Sequence, residues 1–187
     1  MANNGHAAVG EHPIPWRALG WGFAVGLLAI PFVAMQFTRE VNWTASDFVF
    51  AGVVIGGTGL LFELLIRRSN RRAYRLGGAM ALLATFLLVW INAAVGIIGS
   101  EDNPANLMFL GVIVVAFAGA ALARLRPAGM ARAMAVAAAA ELAVGLVALV
   151  FGLGANEPPG EFGVQMLNGF FLALWLGSAW LFRKAAA

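Results

Sequence analysis

Read for polarity alone, the chain is a series of long apolar runs separated by short polar connectors. Crossing a hydrocarbon core takes about 20 mostly apolar residues in helical form. Six runs meet that length, over residues 17–36, 47–66, 76–98, 104–122, 130–153 and 162–182. The pattern predicts an all-α fold: a polytopic membrane helical bundle with six transmembrane helices. Residues 1–16 and 183–187 then form short tails around a single transmembrane domain spanning 17–182. The first run is too long for the apolar core of a signal peptide, and no small-residue cleavage site closes it, so it reads as a retained anchor. Alanine dominates the fifth run, while Trp175 and Trp180 near the end of the sixth read as interfacial anchors.

Composition adds exclusions. Of 187 residues, 61% are hydrophobic and 11% charged, whereas a soluble domain is roughly a quarter charged. Disorder is excluded by the same apolar excess. Without cysteine there are no disulfides, iron–sulfur clusters or thiol catalysis. Both histidines, His6 and His12, precede the first apolar run, so paired-histidine haem and His-rich zinc or di-iron sites inside a bundle are ruled out. No cofactor is expected.

The positions of the charges give an orientation. Arg67, Arg68, Arg71, Arg72 and Arg75 share one connector, and Arg124, Arg126 and Arg132 surround another. Arg183, Lys184 and Arg17 lie on the same side by alternation of the spans, leaving only Arg39 opposite. The other connectors carry Glu40, Asp47, Glu101, Asp102, Glu157 and Glu161. By the positive-inside rule, both termini are cytoplasmic and the acidic connectors face outward. Arginines pinned to helix ends are topological determinants that touch anionic headgroups of the bilayer. No aromatic-interleaved basic platform suggests nucleic acid.

Helix starts and packing motifs are also legible. Ser46 precedes the second apolar run as a candidate cap, with Asp47 favourable in the first turn. Asn103 followed by Pro104 reads as a cap and first helical residue. Gly22/Gly26 and Gly52/Gly56 are GxxxG pairs, and Gly169, Ala173 and Gly177 form a small stripe. Such residues let helices approach closely in lipid, here to build the bundle or to bind a membrane-protein partner or a second copy.

Two carboxylates interrupt the spans. Glu63 stands four residues before Arg67 on the same helical face, an arrangement suited to an ion pair near the interface. Glu141 lies about 16 Å into the fifth span at 1.5 Å per residue, with no cation at its depth. An intramembrane acid costs at least ~2.5 kcal/mol and faces a bundle interior or wet cavity. It reads either as an ion- or proton-responsive group or as a neutral acid cross-linking helices. Thr85 and Thr58, at comparable depth, are candidate hydrogen-bond partners. Asn92 and Asn168, with Gln36, Asn42, Thr44, Asn106 and Gln165, suggest an outward polar vestibule above Glu141. Asp47, Glu101 and Asp102 are candidates for a cation-attracting rim, although no spacing resembles a calcium loop and no metal ligands are assigned.

Two elements carry a resemblance. One is Glu40-Val41-Asn42-Trp43-Thr44, continuing through Asp47-Phe48 to Gly56-Gly57-Thr58-Gly59. The other runs from Asn92-Ala93-Ala94-Val95-Gly96 through Ile97-Ile98-Gly99-Ser100-Glu101-Asp102 to Asn103-Pro104-Ala105-Asn106. Together they resemble a group of small, functionally uncharacterised polytopic proteins of the bacterial inner membrane. The resemblance implies that location, directs attention to the outward elements, and transfers no substrate, cofactor or catalytic residue.

No serine–lysine, serine–histidine or paired-aspartate arrangement lies within the spans, so the residues lean away from an enzyme. The leading expectation is an accessory, binding or assembly component. The alternative is a small-solute or ion transporter or channel that uses Glu141 as its coupling carboxylate.

Overall fold

A computed structural model describes residues 16–187; the remaining N-terminal residues, His6 and His12 among them, lie outside the described residues. Six α-helices follow one another: α1 (Trp16–Phe37), α2 (Ala45–Arg68), α3 (Arg72–Ala94), α4 (Leu107–Leu122), α5 (Pro127–Val150) and α6 (Gly160–Ala186). A 3-10 turn at Pro104–Asn106 leads into α4. There is no strand among the described residues. All six helices are long and apolar enough to span a membrane, α4 with its leading turn included. The chain therefore has the architecture of a multi-pass integral membrane protein.

Two compact units divide it, Met1–Val53 and Val54–Ala187. In the first, α1 leads into the start of α2, and Phe48 lies edge-on to both Phe32 (6.4 Å) and Trp43 (5.2 Å). The cap of α2 is Thr44, not Ser46. The Asp47 carboxylate accepts from the Thr44 amide and hydroxyl, both at 2.7 Å, while the Asp47 amide donates back to Thr44 Oγ1 at 3.4 Å. This reciprocal capping box satisfies orphan groups at the helix start. Along α1, among the residues whose burial is described, Pro31 alone is buried.

In the second unit α6 packs against α3 and α5, and α5 also packs against α4. The buried face of α5 is Met130, Ala133, Met134, Ala137, Ala138, Glu141, Val144, Gly145 and Ala148, the three-and-four spacing of a packed helix stripe. Small side chains set the close approaches. A Cβ on Gly119 would stand 2.7 Å from that of Ala133, and one on Gly145 would stand 3.2 Å from Asn168 Oδ1. Gly177 lies under Met80 in the same way. The GxxxG pairs expected to build the bundle do not do so within their own units. A Cβ on Gly22, Gly26, Gly52, Gly56 or Gly169 would meet no atom within 4 Å. Four-residue spacing marks a face that can be approached; of the glycines it singled out Gly177 closes on a neighbour, and the other close approaches fall at different glycines. Gly119→Val should therefore cost about 1–3 kcal/mol by overpacking the α4–α5 seam. A thermal melt in detergent checks this, with Gly56→Val, open on its face, as the variant expected to melt with the parent.

Helix α3 stops at Ala94 although apolar sequence continues to Ile98. Gly96 and Gly99 adopt positive φ, a conformation glycine enters without steric cost. Ile97 and Ile98 then plug the core as loop residues with no exposed surface. At the other end, α6 runs through Ala186, so residues 183–186 are helical where a tail was expected.

Candidate functional site

Glu141 is central to the chemistry available here. It lies 14 residues, about 21 Å, from the start of α5 at 1.5 Å per residue, because the helix begins at Pro127. Helix periodicity places it on the α5 face that meets α6, and it has no exposed surface. Neither carboxyl oxygen has a partner of hydrogen-bond geometry among the described residues. The side-chain donor acting on it is the indole N–H of Trp175 on α6. That N–H, likewise buried, falls short of a formed bond. Attraction without a closed bond describes the pair.

Sequence reasoning placed Trp175 at the interface, and the structure corrects this: Trp175 has no exposed surface. Trp180, by contrast, is 56% exposed, with Lys184 Nζ 5.5 Å from its ring centroid. Both tryptophans stand on α6 only five residues apart, one buried and one exposed.

One turn along α5 from Glu141 the polar seam continues. Gln165 Nε2 donates to the Gly145 carbonyl at 3.2 Å, and Asn168 lies against Gly145. Asn168 Nδ2 donates to the Val164 carbonyl at 3.0 Å, leaving Oδ1 buried without a partner. Thus Glu141, Trp175 and Asn168 share the α5–α6 seam, each with unused hydrogen-bonding capacity. Buried polar groups are nearly always paired, so such a concentration calls for an explanation.

The threonines do not complete it. Thr58 Oγ1 donates to the Val54 carbonyl at 2.7 Å and Thr85 Oγ1 to the Ala81 carbonyl at 2.9 Å. Helical threonines have this i−4 carbonyl within reach, and here both hydroxyl protons go there. Asn92 on α3 does the same, donating to the Leu88 carbonyl at 2.7 Å with Oδ1 left over. Thr85 and Trp175 instead line an apolar cavity of about 90 Å³ with Leu61, Leu82, Phe117 and Met134 among its walls.

The vestibule residues are mostly occupied elsewhere. Asn106 staples the α3–α4 loop: its Oδ1 accepts from the Ile97 and Ile98 amides (3.1 and 2.9 Å), and its Nδ2 donates to the Ile98 and Ser100 carbonyls (3.3 and 2.8 Å). Glu157 reaches the same loop, accepting from the Ser100 amide at 3.0 Å. Gln36 donates to the Phe32 carbonyl at 3.3 Å, and Thr44 and Asp47 serve the α2 cap. Glu101 and Asp102 are exposed in the turn before Asn103, whose side chain accepts from the Ala105 amide at 3.0 Å as its position before Pro104 implied. No group of three or more metal-ligating side chains forms among the described residues. The Glu63–Arg67 pair is present at 3.2 Å.

No protein-family model, no curated protein and no solved structure matches this chain.

Proposed function

We propose that this protein is a non-catalytic component of the bacterial inner membrane, with both termini cytoplasmic, that works by associating with another membrane subunit or a second copy of itself. The observation that carries this reading is the open glycine face of α1. Gly22 and Gly26 stand one turn apart with no atom of their unit near a Cβ position, and small-xxx-small faces of this kind are where membrane helices approach closely. Arginine-rich connectors on one side and acidic ones on the other support the orientation. Gly26→Leu is a clean probe, because nothing in its own unit opposes the larger side chain. Native mass spectrometry in a mild detergent should find the parent as a defined oligomer or subunit complex and the variant as a folded monomer. A monomeric parent, or an assembly indifferent to Gly26→Leu, would falsify the association reading.

A second reading is favoured by a different observation, the buried acid without a closed hydrogen bond. In it, Glu141 is the coupling carboxylate of a small ion or solute transporter, and Asn168 and Asn92 offer their spare carbonyl oxygens. Intramembrane acids mark ion and proton pathways often enough to support that assignment. Its test is flux in proteoliposomes with and without Glu141→Gln.

A further inference from the structure

The arginine-bearing end of the second unit holds a pocket of about 480 Å³, within the range of sites that bind small molecules. Its walls come from three places: the α2–α3 connector with Arg68, Ser69 and Arg71; the α4–α5 connector with Leu125 and Arg126; and the last turn of α6. No acidic residue lines it. The nearest acid in sequence, Glu63, already faces Arg67. Three arginines therefore line it without a counter-charge among the lining residues.

The pocket is built rather than assembled by chance from loose side chains. Arg75 ties its own connector together, donating to the Ser69 carbonyl at 3.0 Å, the Ile66 carbonyl at 3.3 Å and Asn70 Oδ1 at 2.7 Å. Buried Tyr74 donates to the Leu125 carbonyl at 2.8 Å and stacks edge-on against Phe182 at 5.1 Å. Arg71 Nη1 crosses to the Ala185 carbonyl at 2.7 Å. By contrast, the side chains of Arg68 and Arg126 donate no hydrogen bond to another described residue, and both residues are exposed. Helix α5 opens at this wall with Pro127 and no capping side chain, so its first-turn amides add positive potential to that of the arginines.

Leu125 also lines the apolar cavity that reaches up to Trp175. Leu125 thus walls both a basic pocket at the end of the helices and an apolar crevice within them. A free anion has use for the first only; a molecule with a phosphate head and a hydrocarbon tail fits both. We propose that this is a specific site for an anionic phospholipid, its phosphate held by Arg68, Arg71 and Arg126 and one acyl chain entering past Leu125. Arginine suits this work because its planar fork meets phosphate oxygens in pairs. The proposal narrows general headgroup attraction at basic connectors to one pocket, and it depends on neither the association reading nor Glu141.

Titration of the detergent-solubilised full chain, read by native mass spectrometry, tests it. Phosphatidylglycerol should bind at a single site and phosphatidylcholine should not. Arg68→Gln combined with Arg126→Gln should weaken phosphatidylglycerol binding on the order of tenfold or more, from about 1 kcal/mol for each basic side chain near an anionic surface. Arg39→Gln, which removes one arginine charge outside the pocket as Arg126→Gln does within it, should leave binding unchanged. Equal retention of phosphatidylcholine, or an equal loss in Arg39→Gln, would overturn the proposal. Displacement of the lipid by equimolar inorganic phosphate would overturn it in favour of a free-anion site. Should the double variant fail to fold, Arg126→Gln alone serves, because its side chain supports no internal bond.

Discussion

Asn106→Leu is expected to destabilise the protein by about 3–5 kcal/mol, the cost of orphaning buried amides at roughly 1–3 kcal/mol each. The asparagine side chain serves four backbone groups with one acceptor and one donor end. Leucine fills similar space and offers neither end, so the Ile97 and Ile98 amides lose their acceptor in a part of the fold where both residues are wholly buried. At about 2–4 °C per kcal/mol for a chain of this size, thermal unfolding in detergent should fall by roughly 10 °C. Asn106→Asp keeps the acceptor for both amides and loses the two donations, so it should fall between leucine and the parent. If the leucine variant melts with the parent, the loop is held by Ile97 and Ile98 packing alone and the staple is incidental.

Asn106 also shows where the sequence stops being informative. As a polar residue after Pro104 it read as part of a vestibule, because its spacing from Ile97 and Ile98 has meaning only once α3 has ended at Ala94. The spans themselves were legible, since each is a long apolar run and length alone decides crossing. So were local devices whose parts lie within one turn, such as Asn103 before Pro104 and Glu63 before Arg67. Burial of Glu141 followed from depth. Its neighbours did not, because partners on another helix depend on register and rotation. The threonines at matching depth bond to their own helices, and the group that meets the acid is a tryptophan assigned to the membrane rim. Likewise, GxxxG spacing identified approachable faces, while the seams that close use Gly119 and Gly145, which form no such pair with each other.

Substitutions at Glu141 should divide by what each leaves buried. Lysine is expected to be the most damaging. It places an ammonium at mid-span beside the Trp175 N–H, two donors with no acceptor between them, at an insertion cost of about 2.5–3.5 kcal/mol. Yield of folded protein and melting temperature should both drop. Leucine should behave in the opposite sense. Neither Glu141 oxygen closes a hydrogen bond, so removing them forfeits little, while apolar replacement of buried charged groups is often neutral or stabilising by roughly 1–4 kcal/mol. Glutamine, close to the acid in shape, should melt near the parent. This order separates the two roles an intramembrane acid can have. An acid that cross-links α5 to α6 would make leucine clearly worse than glutamine, because only glutamine retains bonding groups. An acid retained for function at some expense of stability would make leucine as stable as the parent or more so, and its loss would appear in proteoliposome flux instead. A leucine variant that melts well below glutamine would show that bonding groups at this position hold α5 to α6, and flux unchanged in Glu141→Gln would then end the transport reading. One that melts at or above the parent while flux disappears would sustain it, and would make the Trp175 N–H the first group to test as its partner.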